Sequence, residues 1–115
     1  MTAGDSRTTE HLLIESGGPE SGPACARFLG DAVRLAEDGH RVVLLLIENG
    51  VLAALPGACP EIDRLAGLGA ELWVDGFSAA QRALATGDLS PAARLVDMDR
   101  VAATLLEPAV RAVWH

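Results

Sequence analysis

Val42-Val43-Leu44-Leu45-Leu46-Ile47, an uninterrupted apolar run, constrains this chain more than any other stretch of it. A half-solvated strand would alternate apolar with polar residues, and a run of this length is short for a helix. Bounded by His40-Arg41 on one side and Glu48-Asn49-Gly50 on the other, it reads as a strand buried on both faces. Such strands occur in parallel sheets with helices packed above and below, so the neighbouring segments must supply both crossover helices and further strands.

They do so in alternation. His11-Leu12-Leu13-Ile14-Glu15-Ser16 reads as a buried first strand stopped by Gly17-Gly18-Pro19. From Glu20 to Asp38 the apolar positions Ala24, Phe28, Ala32, Leu35 and Ala36 recur at helical spacing, with Gly39 as the C-terminal cap. After the central strand, Val51 to Leu55 forms a short helix ended by Pro56-Gly57, and a further helix begins at Pro60 or Glu61 and runs to Ala66. Ala70 to Val74 reads as strand three, Asp75-Gly76 ends it, and a helix opens at Phe77 or Ser78 and runs to about Leu84. Ala93 to Val96 reads as a fourth strand, Asp97 caps a helix from Met98 to Glu107, and Ala109 to Trp114 forms a last strand. Right-handed crossovers then give a three-layer α/β/α domain around a mostly parallel sheet of about five strands. Residues 10–115 make one domain, and residues 1–9 read as a polar leader, disordered or frayed.

Composition fits one core. The chain has 115 residues, half of them apolar, and its only large aromatics are Phe28, Trp73, Phe77 and Trp114, so Leu, Val, Ile and Ala must build the interior. Sixteen acidic residues face nine arginines scattered along the chain, giving a formal charge of -7. Direct binding to nucleic acid needs a concentrated cationic surface, which this distribution does not supply. No apolar run approaches a bilayer span and Met1 to Glu10 contains no secretory core, so the expectation is a cytoplasmic protein without membrane association. In that compartment Cys25 and Cys59 are expected as reduced thiols.

In a parallel sheet the loops leaving the carboxyl ends of the strands share one edge, and ligands bind in the crevice there. That edge gathers Gly17 to Pro23, Glu48 to Leu52, and Asp75 to Ser78. Cys25, in the first turn of the first helix, is either a thiol activated by the helix N-terminus or a small buried hydrophobe facing the sheet. Cys59, in the loop Gly57-Ala58-Cys59-Pro60, is either a reactive exposed thiol or an incidental loop residue, and a joint role for both cysteines requires their loops to touch. Asp75 is either a general base in the crevice or the cap of the following helix. Glu48 is a second carboxylate at the same edge, or a solvated strand terminus. The glycine-rich loop from Gly17 to Gly22 can cradle an anion with its backbone N–H groups, although it matches neither the dinucleotide fingerprint nor the P-loop. His11, His40 and His115 are dispersed without zinc-ligand spacing, and no metal or cofactor is expected.

The chain from His11 to Trp114 resembles the DsrE/DsrF-like family of small sulfur-relay proteins. The residues carrying the resemblance are the first strand with its Gly-Pro loop, Gly39-His40-Arg41-Val42, Glu48-Asn49-Gly50-Val51, Gly69-Ala70-Glu71, Asp75-Gly76-Phe77-Ser78 with Arg82 beyond, and the closing helix and strand. The resemblance implies a three-layer domain that assembles into homo- or hetero-oligomers, often trimers or hexamers, and works through protein partners that donate or accept sulfur. It also implies a cysteine near the end of the third strand that carries a persulfide; Asp75 stands at the equivalent place, and a carboxylate cannot hold a sulfane sulfur. Persulfide transfer would then fall to Cys25 or Cys59, with Gly17, Gly18, Glu48, Asn49, Gly50, Ser78 and Arg82 as crevice-lining binding residues. Two other functions fit the same scaffold: a noncatalytic oligomeric subunit or binding module, and a small-ligand site centred on Asp75 and Glu48.

Overall fold

The central run folds as the middle strand of a five-stranded sheet whose strands all run parallel. The structure, a computed structural model, describes residues 9–115, so the expected leader lies outside the described residues except for Thr9. The strands are β1 (Glu10–Glu15), β2 (Arg41–Leu46), β3 (Glu71–Asp75), β4 (Ala93–Val96) and β5 (Val110–Trp114), in the order β4-β3-β2-β1-β5. The helices are α1 (Pro23–Glu37), α2 (Pro60–Gly67), α3 (Gly76–Gln81) and α4 (Met98–Leu105).

Strand order decides which face each helix covers. The chain steps from β1 to β4 in one direction, so right-handed crossovers place α1, α2 and α3 on one side, and the long return from β4 to β5 sends α4 to the other. Two apolar clusters record this. Leu13, Leu44, Leu46, Leu72 and Val74 pack with Leu29, Val33, Ile62 and Leu65 of α1 and α2, while Leu12, Ile14, Val43, Leu45 and Trp73 pack with Val101 of α4. Alternate residues of β1 and β2 thus point to opposite clusters, which is why their sequences show no polar alternation. Burying one such leucine contributes about 2–3 kcal/mol, and this many of them hold the sheet without staples.

Several boundaries differ from the sequence reading. The first helix starts at Pro23, because Pro19–Ser21 forms a separate 3-10 turn closed by Gly18 and Gly22 at positive φ. The turn after β2 is also 3-10, spanning Glu48–Ala54. The third helix ends at Gln81, where Ala83 takes a positive φ of 56°, and the fourth ends at Leu105.

Candidate functional site

Parallel pairing brings the ends of β1, β2 and β3 to one rim, and backbone hydrogen bonds then lock their turns together. Ile47 N–H donates to Glu15 O at 3.1 Å, Gly50 N–H donates to Ser16 O at 3.1 Å, and Glu48 N–H donates to Ser78 Oγ at 2.9 Å. The approach is close enough to require glycine. A Cβ on Gly50 would collide with Glu15 O, and one on Gly18, whose φ is 77°, would collide with Asn49 O.

On the β3 side of this rim Asp75 caps α3. Its Oδ2 accepts from Ser78 N–H at 3.1 Å and from Ser78 Oγ at 2.6 Å, while its Oδ1 is buried without a partner. Arg82 donates through Nε and Nη2 to Asn49 Oδ1, at 3.2 and 2.8 Å, and through Nη1 to Ser78 O at 3.1 Å. Ser78, Asn49 and Arg82 therefore hold the second and third turns together, and of the groups in this network only Asp75 Oδ1 is buried without a partner. Asp75 and Glu48 do not face each other in a closed pocket: Asp75 is buried, whereas Glu48 is exposed with a left-handed φ of 50°.

On the β1 side lies a cluster that the sequence reading missed. Glu15 follows Leu13 by two residues, so strand alternation turns its side chain into the α1–α2 face, where it is fully buried. Its Oε2 accepts from Gly17 N–H at 2.9 Å and Gly18 N–H at 3.0 Å, and its Oε1 lies 2.7 Å from His115 Nδ1. The glycine loop thus cradles an anion, but the anion is the chain's own carboxylate. His115 reaches it because β5 pairs with β1 and continues past Trp114: His115 N–H donates to Ile14 O at 2.7 Å, Ser16 N–H donates to His115 O at 3.0 Å, and the imidazole stacks on Phe28 at 4.8 Å. A carboxylate ending an otherwise apolar strand just before Gly-Gly was the sequence signal available for Glu15.

Both cysteines border this cluster. Cys25, in the first turn of α1, is 1% exposed, and its thiol is pushed up to about 12, chiefly by burial and then by the Glu15 charge, the neighbouring Cys59 and a hydrogen bond with Glu15. Cys25 is thus a small buried residue of the apolar cluster under α1 and α2. Cys59 was expected in an exposed loop; it is buried as the N-cap residue of α2, because the 3-10 turn folds the Gly57–Cys59 segment back onto the core. Burial and the Glu61 charge raise its pKa, and a hydrogen bond with Cys25 opposes that rise in part. The start of α1 and the start of α2 bring the two cysteines together in one apolar cluster, and both thiols are free. Among the described residues, no group of three or more His, Cys, Asp or Glu is placed to hold a metal ion.

In an open parallel sheet, ligand crevices form where neighbouring strands send their connections to opposite faces. Here that reversal falls beside β1, between the connections on the α1 side and the return that delivers β5 from the α4 side, and Glu15 and His115 fill it.

No family profile and no curated sequence matches the chain. Solved structures do. The ychN protein from E. coli superposes with a TM-score of 0.79 at 18% identity, covering 91% of this chain and 99% of its own. A protein of unknown function from Methanobacterium thermoautotrophicum, MTH1491, superposes with a TM-score of 0.74 at 12% identity, covering 93% of this chain and 98% of its own. The chain therefore has the DsrE/YchN-type fold over nearly its whole length.

Proposed function

We propose that the chain is a noncatalytic, protein-binding subunit of a DsrE-like sulfur-relay system, acting in the cytoplasm as a homo-oligomer, a trimer or hexamer, and contributing surface instead of a sulfur-carrying thiol. The observation carrying this reading is an apolar surface left open on the α4 side. Met98 and Leu105 of α4 and Leu106, its C-cap residue, are 52%, 47% and 84% exposed, and Trp114, which pairs with inward-facing Ile14 on that side of the sheet, is 67% exposed. Large apolar side chains left exposed on one face of a sheet are suited to protein contacts, and Trp and Met are enriched there. Asp75 supports the reading, since at the strand end where relay proteins carry cysteine it serves as a helix cap.

The experiment is sedimentation of the wild-type chain beside Leu106→Glu and Trp114→Glu. The expected result is an oligomer that either substitution dissociates into folded monomers. A wild-type chain that is monomeric, alone and with candidate sulfur-relay proteins, would overturn the proposal.

A second reading has its own support. Cys25 and Cys59 meet beside Glu15, so persulfide transfer would have a paired site. Mass spectrometry after incubation with a persulfide donor separates the two: an added sulfur on either cysteine favours transfer, and unmodified thiols favour the binding subunit.

A further inference from the structure

We propose that Cys25 and Cys59 are an oxidisable dithiol, converted by a small hydroperoxide into a disulfide that joins the start of α1 to the start of α2, with Glu15 and His115 as the outlet for the proton of Cys25. Independent features of the packing converge on this pair. The helices that carry the cysteines lie side by side on the same face of the sheet, and both thiols belong to the one apolar cluster beneath them. A cavity of about 160 Å³ abuts Cys59, lined also by Leu55, Pro56, Ile62, Ser90 and Pro91, with room for a molecule the size of hydrogen peroxide next to that residue. On the far side of Cys25 stands Glu15, itself fully buried, with the half-exposed His115 imidazole beyond it at 2.7 Å. A carboxylate buried beside a thiol and joined to an imidazole that reaches solvent is a proton path, whereas apolar packing alone would place no carboxylate there.

The step balances without any other reactant. The Cys59 sulfur, having lost its proton, attacks one oxygen of the peroxide, the O–O bond breaks, and Cys59 becomes a sulfenic acid as hydroxide leaves and takes up that proton to form water. The Cys25 sulfur then attacks the Cys59 sulfur, the S–O bond breaks, and the departing hydroxide becomes the second water by taking the proton that Cys25 passes through Glu15 and His115. Two thiols lose two electrons, and peroxide gains them.

The pair is guarded in its reduced form. Burial holds both sulfurs as thiols, so the first attack is slow at neutral pH and speeds up as the pH rises. The second attack is intramolecular and depends on Glu15.

The test treats the folded full chain with hydrogen peroxide and identifies products by peptide mass spectrometry, with dimedone present to trap sulfenic acid. The expected result in the wild type is a Cys25–Cys59 linked peptide within one chain, a net loss of two hydrogens, and a higher melting temperature. Cys25→Ser should stop the link and leave dimedone on Cys59. Glu15→Gln should slow closure of the link by roughly a hundredfold, the usual worth of a positioned base, and divert product to the trapped sulfenic acid; His115→Gln, which leaves the buried carboxylate in place, tests the same path if Glu15→Gln does not fold. Oxidation of Cys59 to sulfinic acid with Cys25 untouched, or links formed only between chains, would overturn the dithiol. Unchanged closure rates in both Glu15→Gln and His115→Gln would overturn the proton path.

Discussion

The imidazole of His115 meets the carboxylate of Glu15 across 100 residues of sequence, Nδ1 to Oε1 at 2.7 Å. That contact ties the last strand to the first at the sheet's carboxyl edge and covers the most deeply buried charged side chain among the described residues. Removing Glu15 would strand the N–H groups of Gly17 and Gly18 and leave a void between β1 and α1. Glu15→Ala should cost about 2–4 kcal/mol in urea unfolding. His115→Ala, which removes a half-exposed partner, should cost about 1 kcal/mol.

Gly18 and Gly50 hold the first two turns in contact, and neither position has room for a methyl group. Gly50→Ala should cost about 1–3 kcal/mol through overpacking against Glu15 O. Gly18→Ala should cost more, because it adds a positive φ to the clash with Asn49. Gly67, with open space around its Cβ position and no positive φ, is the control: Gly67→Ala inside α2 should be neutral or stabilising in the same measurement.

Asp75 accepts from both the backbone and the hydroxyl of Ser78, so its role is legible in stability. Asp75→Ala should lower unfolding free energy by about 1–2 kcal/mol, and Asp75→Asn, which keeps an acceptor, by less. Asp75→Cys places a thiol at the end of β3, a direct test of the proposal that this strand end would otherwise carry sulfur. The expected outcome is that this variant takes up sulfur from a persulfide donor while the wild-type chain does not, as read by intact mass.

At the opposite edge of the sheet, His11 packs edge-on to His40, with ring centroids 5.0 Å apart, and its Nε2 is buried without a partner. Burial first, then the charges of His40 and Arg111, lower its pKa below 6.5. The unfolded chain therefore takes up this proton at a higher pH than the folded one. Stability should fall as the pH drops through 6.5 towards the folded value and level off below it. In thermal unfolding between about pH 7.5 and 5.5, His11→Gln should flatten that slope; an unchanged slope would remove His11 as its source.

Much of this architecture was legible in the chain. The Val42–Ile47 run announced a strand buried on both faces, and alternation of strands with helical spacing then determined the parallel sheet, its layers and the rim shared by Gly17–Pro23, Glu48–Leu52 and Asp75–Ser78. Residue preference put the helix cap among the two readings of Asp75, and the cap is the one the hydrogen bonds show. Glu15 and His115 did not, because their pairing depends on β5 lying beside β1, a long-range choice that local periodicity does not encode. Cys59 misled for the opposite reason: Gly57 and Pro60 signal an exposed loop, yet the 3-10 turn before them folds the thiol inward.

Burial closes off the thiols, above all Cys25, and holds them protonated, which both the binding-subunit reading and the guarded dithiol require. The most direct measurement is the rate of Cys25 alkylation by iodoacetamide against pH in the Cys59→Ser variant, with folding followed at each pH. The expected result is negligible reaction at neutral pH and a rate still rising at the highest pH at which the chain stays folded, as required by a thiol pushed up to about 12. A plateau with a midpoint at or below about 8.5, the value of an ordinary cysteine, would contradict it.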